Sequence, residues 1–344
     1  MADIDAKPGM LVEAAEAGSV VAALLTREKP VLDALRRRFG HNLPPVVTTA
    51  ARGSSDQAAS FFKYLMELGS GVPVASIGPS VASVYGRPLR LAGALHVTVS
   101  QSGESPDLIA LQKAAKAGGA FTLAVVNAPQ SPIARAADLV LDLGAGPERS
   151  VAATKSFIAS AAALAAAVAA LTGDDTLARG LDTLPAALDA APDAPADAVR
   201  TLADAAHVYC VGRGPSLAIA SEAALKFKEV AAVHAEPFSL AEVMHGPLAL
   251  VGRGFPVIGF VPDDAGTRHA HDALSRLDSI GADLLTFSNA ALPGTPVKLP
   301  QTGAPALDVL VGILPLYRLV HAVALARGRD PEAPPHLAKV TRTA

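Results

Sequence analysis

The run Leu95-His96-Val97-Thr98-Val99, the turn Ser100-Gln101-Ser102-Gly103-Glu104-Ser105 and the segment Pro106-Asp107-Leu108-Ile109-Ala110-Leu111-Gln112-Lys113 decide the fold class. The first run is largely apolar and partly β-branched, which suits a strand. The last segment opens with proline at a first helical position and an acid in the first turn, which suits a helix start. Between them lies a turn of hydroxyls and glycine. A strand leading through such a turn into a helix N-terminus can seat an anion. Backbone N–H groups point outward there, the helix dipole favours negative charge, and serine hydroxyls add donors without a lysine or metal. The same residues also suit a polar loop with an N-cap and no ligand.

Working outward, strand and helix signals alternate. Strand-like runs are Val46-Val47-Thr48-Thr49, Val74-Ala75-Ser76-Ile77, Leu95 to Val99, Phe121 to Val126 and Leu139-Val140-Leu141. Helical runs are Ser55 to Leu68, Pro106 to Ala117 and Pro132 to Ala136. This alternation predicts an α/β fold with a doubly wound parallel sheet covered on both faces. Before it, Pro8 to Phe39 reads as one or two helices with an apolar stripe through Leu11, Val12, Val20, Leu24 and Leu25.

A second set of strand signals follows at Val208 to Val211, Pro256 to Phe260, Asp283 to Phe287 and Pro296 to Leu299. Val47 to Ser55 parallels Val208 to Ser216, and Asn127 parallels Asn289. Two copies of one unit are the economical explanation. Where the first has Ser100-Gln101-Ser102-Gly103, the second has Phe260-Val261-Pro262-Asp263, so one phosphate site per chain is expected. The Ala-, Asp- and Pro-rich stretch from Leu181 to Ala198 is read as the connection. The expected organisation is a helical segment at 1–40, a first domain at 41–190, a second at 191–330 and a tail at 331–344.

Composition narrows the function. The chain has 344 residues, 51% of them hydrophobic, and a net charge of −3. So balanced a charge gives no general pull on nucleic acid or an anionic membrane, and neither is an expected partner. The cluster Arg36-Arg37-Arg38 reads as a solvated helix end. The single cysteine, Cys210, sits in an apolar run and reads as a buried strand residue; with no disulfide possible within the chain, the cytoplasm is the expected compartment. Met1 to Met10 lacks the apolar core of a signal peptide. The alanine-rich run from Phe157 to Leu171 reads as a buried helix rather than a membrane span.

Three hydroxyl-bearing loops are candidates for one site: Arg52-Gly53-Ser54-Ser55, the turn with Ser100, Gln101, Ser102 and Ser105, and Val151-Ala152-Ala153-Thr154-Lys155-Ser156. Loops after adjacent parallel strands converge at the carboxyl edge of a sheet, where ligands bind. Gly212-Arg213-Gly214 fails as a dinucleotide fingerprint because Leu217 stands at the third glycine position. Glu222, Lys226 and Glu229 share one helix face and read either as a surface ion-pair ladder or as cleft residues. His245, before Gly246-Pro247, sits on a constrained turn and is expected to be exposed. His234 and His245 lack metal-site spacing, so no metal or cofactor is expected. In the tail, Pro334 and Pro335 stiffen the chain, Leu337 and Val340 offer anchors, and Lys339 is placed to reach a cleft.

Together these segments resemble the sugar isomerase (SIS) superfamily, with its tandem flavodoxin-like domains. The likeness is greatest to the isomerase half of glutamine–fructose-6-phosphate aminotransferases and to SIS-type glucosamine-6-phosphate deaminases. It rests on Ser-Gln-Ser-Gly-Glu-Ser at 100–105, Val-Ala-Ala-Thr-Lys at 151–155, Leu-Lys-Phe-Lys-Glu at 225–229, His-Ala-Glu at 234–236, His-Gly-Pro-Leu at 245–248 and His-Leu-Ala-Lys at 336–339. The resemblance implies that Ser54, Ser55, Ser100, Gln101, Ser102 and Ser105 hold a sugar phosphate and that Ala152 and Ala153 line the pocket. It implies that Glu229 moves a proton between sugar C1 and C2, that His245 assists ring opening from a neighbouring subunit, and that Lys339 engages the open-chain carbonyl. A homodimer with a shared active site follows.

Departures from the pattern are Arg52 where the aminotransferase has a cysteine, His336 where asparagine is usual, and the lack of a glutaminase segment. The leading expectation is a deaminase-isomerase converting glucosamine 6-phosphate to fructose 6-phosphate and ammonia. Another phosphosugar isomerase or deaminase, or a non-catalytic sugar-phosphate sensor, also fits.

Overall fold

In the computed structural model, residues 9–339 are described. They form two compact units. One comprises Ser19–Glu148 and Lys155–Asp182; the other comprises 9–18, Arg149–Thr154 and Thr183–Lys339.

The first unit is built on five strands, β1 (Val47–Ala50), β2 (Val74–Ser76), β3 (Leu95–Ser100), β4 (Phe121–Val126) and β5 (Leu139–Asp142). All pair in parallel, in the order β2-β1-β3-β4-β5. The order runs one way from β1 to β2 and the other way from β3 onward. Right-handed crossovers then put the helices on opposite faces. On one face, Ala50, Ala124 and Val126 pack with Leu108, Leu111 and Ile133 from the helices Pro106–Ala117 and Pro132–Ala136. The helix Ser54–Ser70 contacts β1 and β3 and packs against the alanine-rich helix Lys155–Thr172. Small alanines let these helices approach closely. The apolar length of Lys155–Thr172 is buried, as the sequence predicts for Phe157 to Leu171.

The second unit repeats the plan with β6 (His207–Gly212), β7 (His234–Ser239), β8 (Pro256–Phe260), β9 (Asp283–Phe287) and β10 (Thr295–Val297). Its order, β10-β9-β8-β6-β7, is the same topology counted from the other edge. The repeat extends to individual bonds. Asn127, after β4, accepts from Ala145 N–H at 2.7 Å, and Asn289, after β9, accepts from Leu299 N–H at 3.0 Å. Each amide thereby pins the chain leaving the fifth strand of its sheet. The tandem α/β architecture stands as the sequence implies.

Several local expectations need correction. The N-terminal segment is three helices, Met10–Ala15, Ala17–Arg27 and Lys29–Phe39, not one or two. Its buried face runs through Met10, Ala14, Ala17, Val21 and Leu24, while Val12 is exposed. β7 was not among the expected strands. It is polar and holds Pro237, which an edge strand paired only with β6 tolerates. The helix Asp175–Asp189 continues through Pro185, so only 190–195 is irregular before Ala196–Asp204. The last two helices are Pro305–Val311 and Ile313–Ala326.

One buried group makes the first sheet sensitive to acid. His96 is inaccessible on β3 between Thr48 of β1 and Thr122 of β4. Its Nδ1 shares a hydrogen bond with Thr48 Oγ1 at 2.9 Å. Burial pushes its pKa down to about 4. Between pH 6.5 and that value the unfolded chain takes a proton that the folded chain refuses. Stability is full above the unfolded value and falls as pH drops through this window, by on the order of 3 kcal/mol from this group. Urea unfolding followed across that range should show the decline, and His96→Gln should flatten it.

Candidate functional site

In the first unit, β1 and β3 are neighbours whose following helices depart to opposite faces. Their carboxyl ends therefore open a crevice at the topological switch point, where ligands bind in sheets of this kind. The loops entering it are Arg52 to Ser55 and Ser100 to Ser105. Gly53 adopts φ 55°, and Gly103 adopts φ 63°. A Cβ at Gly103 would lie 2.0 Å from Ser131 Oγ, so the turn needs glycine on two counts.

The hydroxyls shape this turn. Ser100 Oγ accepts from Gly103 N–H at 3.1 Å and Ser102 Oγ from Glu104 N–H at 3.4 Å. Each hydroxyl, having accepted, still carries its own proton to donate. Ser105 stands at the N-cap of the 106–117 helix and makes no side-chain cap bond. The carbonyl of Gln101 accepts from Asn127 N–H at 3.1 Å, which ties the turn to the end of β4. Ser54 and Ser55 open the 54–70 helix and are half-buried.

In the second unit, the counterpart of the Arg52–Ser55 loop consumes its hydroxyl internally. Ser216 Oγ accepts from Arg213 N–H and donates to Arg213 O, both at 2.9 Å. This closes the Gly212-Arg213-Gly214 turn on itself.

The second unit brings other residues together. Lys226 is fully buried, 3.4 Å from Glu222 Oε1 and 2.5 Å from Glu229 Oε2. This corrects the surface-ladder alternative: only Glu229 reaches the surface, with its side chain 24% exposed. Burial pushes the Lys226 pKa down, but the two carboxylates outweigh it and hold the ammonium charged, above its ordinary value. Tyr317 donates its hydroxyl to Glu222 Oε1 at 3.3 Å.

Glu229 does not lie on a regular helix. The helix Ser216–Lys226 gives way to a π-helical turn over Phe227–Ala231, which ends at Ala232 with φ 49°. Wide turns of this kind and left-handed non-glycine residues cost energy and gather at functional sites. Glu229 borders an open cleft of about 370 Å³ whose other wall is the tail, through Arg329, Asp330, Ala333, Pro335 and Leu337. The tail's buried residues are Pro331 and Pro334, whereas Leu337 is 46% exposed. Leu337 is thus not the buried anchor expected, and Val340 lies outside the described residues. His336 has φ 66°, a left-handed conformation that asparagine and histidine adopt more readily than most residues. Lys339 follows, half-buried.

His245 is exposed, as the sequence predicts, and its side chain bonds neither Glu229 nor the tail among the described residues. Its turn is fixed from below, where Tyr209 donates its hydroxyl to Pro247 O at 3.1 Å.

The loop of Val151, Ala152 and Ala153 is held by two carboxylates that sequence reasoning missed. Glu13 accepts from Arg149 N–H at 2.5 Å and from Ser150 N–H at 3.2 Å. Glu332 accepts from Ser150 Oγ at 2.9 Å and from Met10 N–H at 2.7 Å. The signal for Glu13 was present: it is a charge three residues after Met10 on a buried helix face.

Gly103→Ala should lower stability by about 2 kcal/mol in urea unfolding, through strain at positive φ and the contact with Ser131. Lys226→Met should cost about 3 kcal/mol or more in the same measurement, because it leaves buried carboxylates without their shared cation.

The SIS domain family matches residues 46–170 and 201–292. A glutamine–fructose-6-phosphate aminotransferase of Zymomonas mobilis is 34% identical over 315 residues, covering 85% of this chain and 51% of that protein. The chain spans about half the length of the curated relatives it matches. Among solved structures, a Silicibacter pomeroyi protein assigned as a phosphosugar isomerase is 39% identical with a TM-score of 0.89, over 94% of this chain and 99% of that one. The C-terminal domain of glucosamine-fructose-6-phosphate aminotransferase from Francisella tularensis is 26% identical with a TM-score of 0.82, over 97% and 100%. With the family model matching residues in both units, the chain belongs to the SIS domain family.

Proposed function

We propose that this chain is a sugar-phosphate isomerase whose substrate is an aminosugar phosphate, and that it converts glucosamine 6-phosphate and water to fructose 6-phosphate and ammonia. The observation that carries this reading is Glu229: a carboxylate on a π turn, bonded to a buried ammonium, at the rim of a cleft walled by the tail. Lys226 fixes that carboxylate's position and balances its charge. A positioned acid–base group of this kind is what proton transfer between adjacent sugar carbons requires.

The phosphate binds the Ser100–Ser105 turn together with Ser54 and Ser55, far from the reacting carbons, and aligns the open chain. Val151, Ala152 and Ala153 line the sugar. His245 assists ring opening. Its exposure and its lack of a bond to Glu229 support its serving a partner subunit's site, in a homodimer that shares its active sites. Glu229 takes the C2 proton and returns it at C1, which leaves a C2 imine. Water adds to that imine and ammonia departs, giving the ketose. Lys339 engages the open-chain carbonyl. Similarity to relatives named for aminating fructose 6-phosphate supports the amino-bearing substrate.

Purified protein supplied with glucosamine 6-phosphate should release ammonia and fructose 6-phosphate in equal amounts. Ketose formed from a non-amino aldose phosphate, with no ammonia from the aminosugar, would replace this reading with simple isomerisation. Glu229→Gln should slow turnover by about a hundredfold or more while sugar-phosphate binding persists.

A further inference from the structure

Arg52 lies in the loop after β1, and its guanidinium lies 2.6 Å from Asp107 Oδ2. Asp107 belongs to the first turn of the 106–117 helix that follows β3. The ion pair therefore spans the crevice between the two loops of the candidate phosphate site. Its partners are unequal: the Asp107 side chain is 1% exposed and that of Arg52 is 52% exposed.

The 54–70 helix also carries an acid in its first turn, Asp56. Burial pushes the Asp56 carboxyl up, and the Arg52 charge pulls it back. Acids at helix starts stabilise the helices by complementing their dipoles. The same charges oppose a phosphate dianion approaching those N-termini. The two helix starts that should attract the ligand thus each carry a group that repels it; Arg52 pairs with Asp107 and acts on Asp56 through its charge.

We propose that Arg52 is a charge-balancing positioning residue, which neutralises Asp107 and Asp56 so that a phosphate dianion can enter the 100–105 turn. This rests on the phosphate reading of that turn and assigns Arg52 a role other than gripping the phosphate. A direct ligand and a charge balancer predict opposite consequences of removing the acid.

The test is calorimetric binding of fructose 6-phosphate to the full chain, wild type against Arg52→Gln, Asp107→Asn, the double variant and Arg52→Lys. Arg52→Gln should weaken binding by roughly tenfold to a hundredfold, and higher ionic strength should narrow that deficit. Asp107→Asn alone should bind at least as tightly as wild type, and the double variant should recover to within about threefold of it. Arg52→Lys, which keeps the charge, should retain most of the affinity. In steady-state turnover the Arg52→Gln defect should fall on KM rather than kcat.

A double variant as weak as Arg52→Gln would overturn the proposal and make Arg52 a phosphate ligand. Should Asp107→Asn fail to fold, equal losses in Arg52→Lys and Arg52→Gln would overturn it equally. If wild type binds neither fructose 6-phosphate nor glucosamine 6-phosphate, the phosphate reading itself falls, and this proposal with it.

Discussion

A parallel sheet whose strand order reverses beside its first strand must leave a crevice there, because the helices on either side of the reversal are carried to opposite faces. Both units obey this constraint, at β1/β3 and at β6/β8. The constraint fixes where a ligand can meet backbone amides, but not which unit uses the opening. In the proposed reading, turn chemistry makes that choice. In the first unit Ser100 and Ser102 keep hydroxyl protons to donate; in the second, Phe260 to Asp263 stand in their place and Ser216, the counterpart of Ser55, bonds its own loop.

The second unit is specialised differently. It holds a lysine with no exposed surface between a carboxylate on its own helix and one on the π turn that follows. Burying such charges is costly, and a hydrophobic cluster would often serve stability as well or better. The role proposed for Glu229 would give the arrangement a reason that packing alone does not. The π turn that carries it and the left-handed Ala232 that ends it are departures from ideal geometry of the kind that cluster where function demands them.

Much of this was legible in the sequence. β4, β8 and β9 and the 106–117 helix have the boundaries that their apolar runs and proline start indicate. β7 escaped because an edge strand needs neither alternation nor a full set of amides, and His234, Glu236 and Pro237 give no apolar signal. The spacing of Glu222, Lys226 and Glu229 was visible, but their burial was not, since it depends on what covers the helix. Tyr317, which bonds Glu222, is 95 positions away. The same holds for Arg52 with Asp107, 55 positions apart, and Glu332 with Ser150, 182 apart. Helical spacing encodes near neighbours; contacts between distant segments come from topology.

Cys210 lies wholly inside β6, paired to Pro237 of β7 on one side and Ile258 of β8 on the other. Burial pushes its thiol up, away from the reactive thiolate. As the chain's one sulfhydryl, it is a natural clock for the second sheet. A colorimetric disulfide reagent can attack it only after the structure covering β6 opens, so the rate of colour development times that opening without an introduced label.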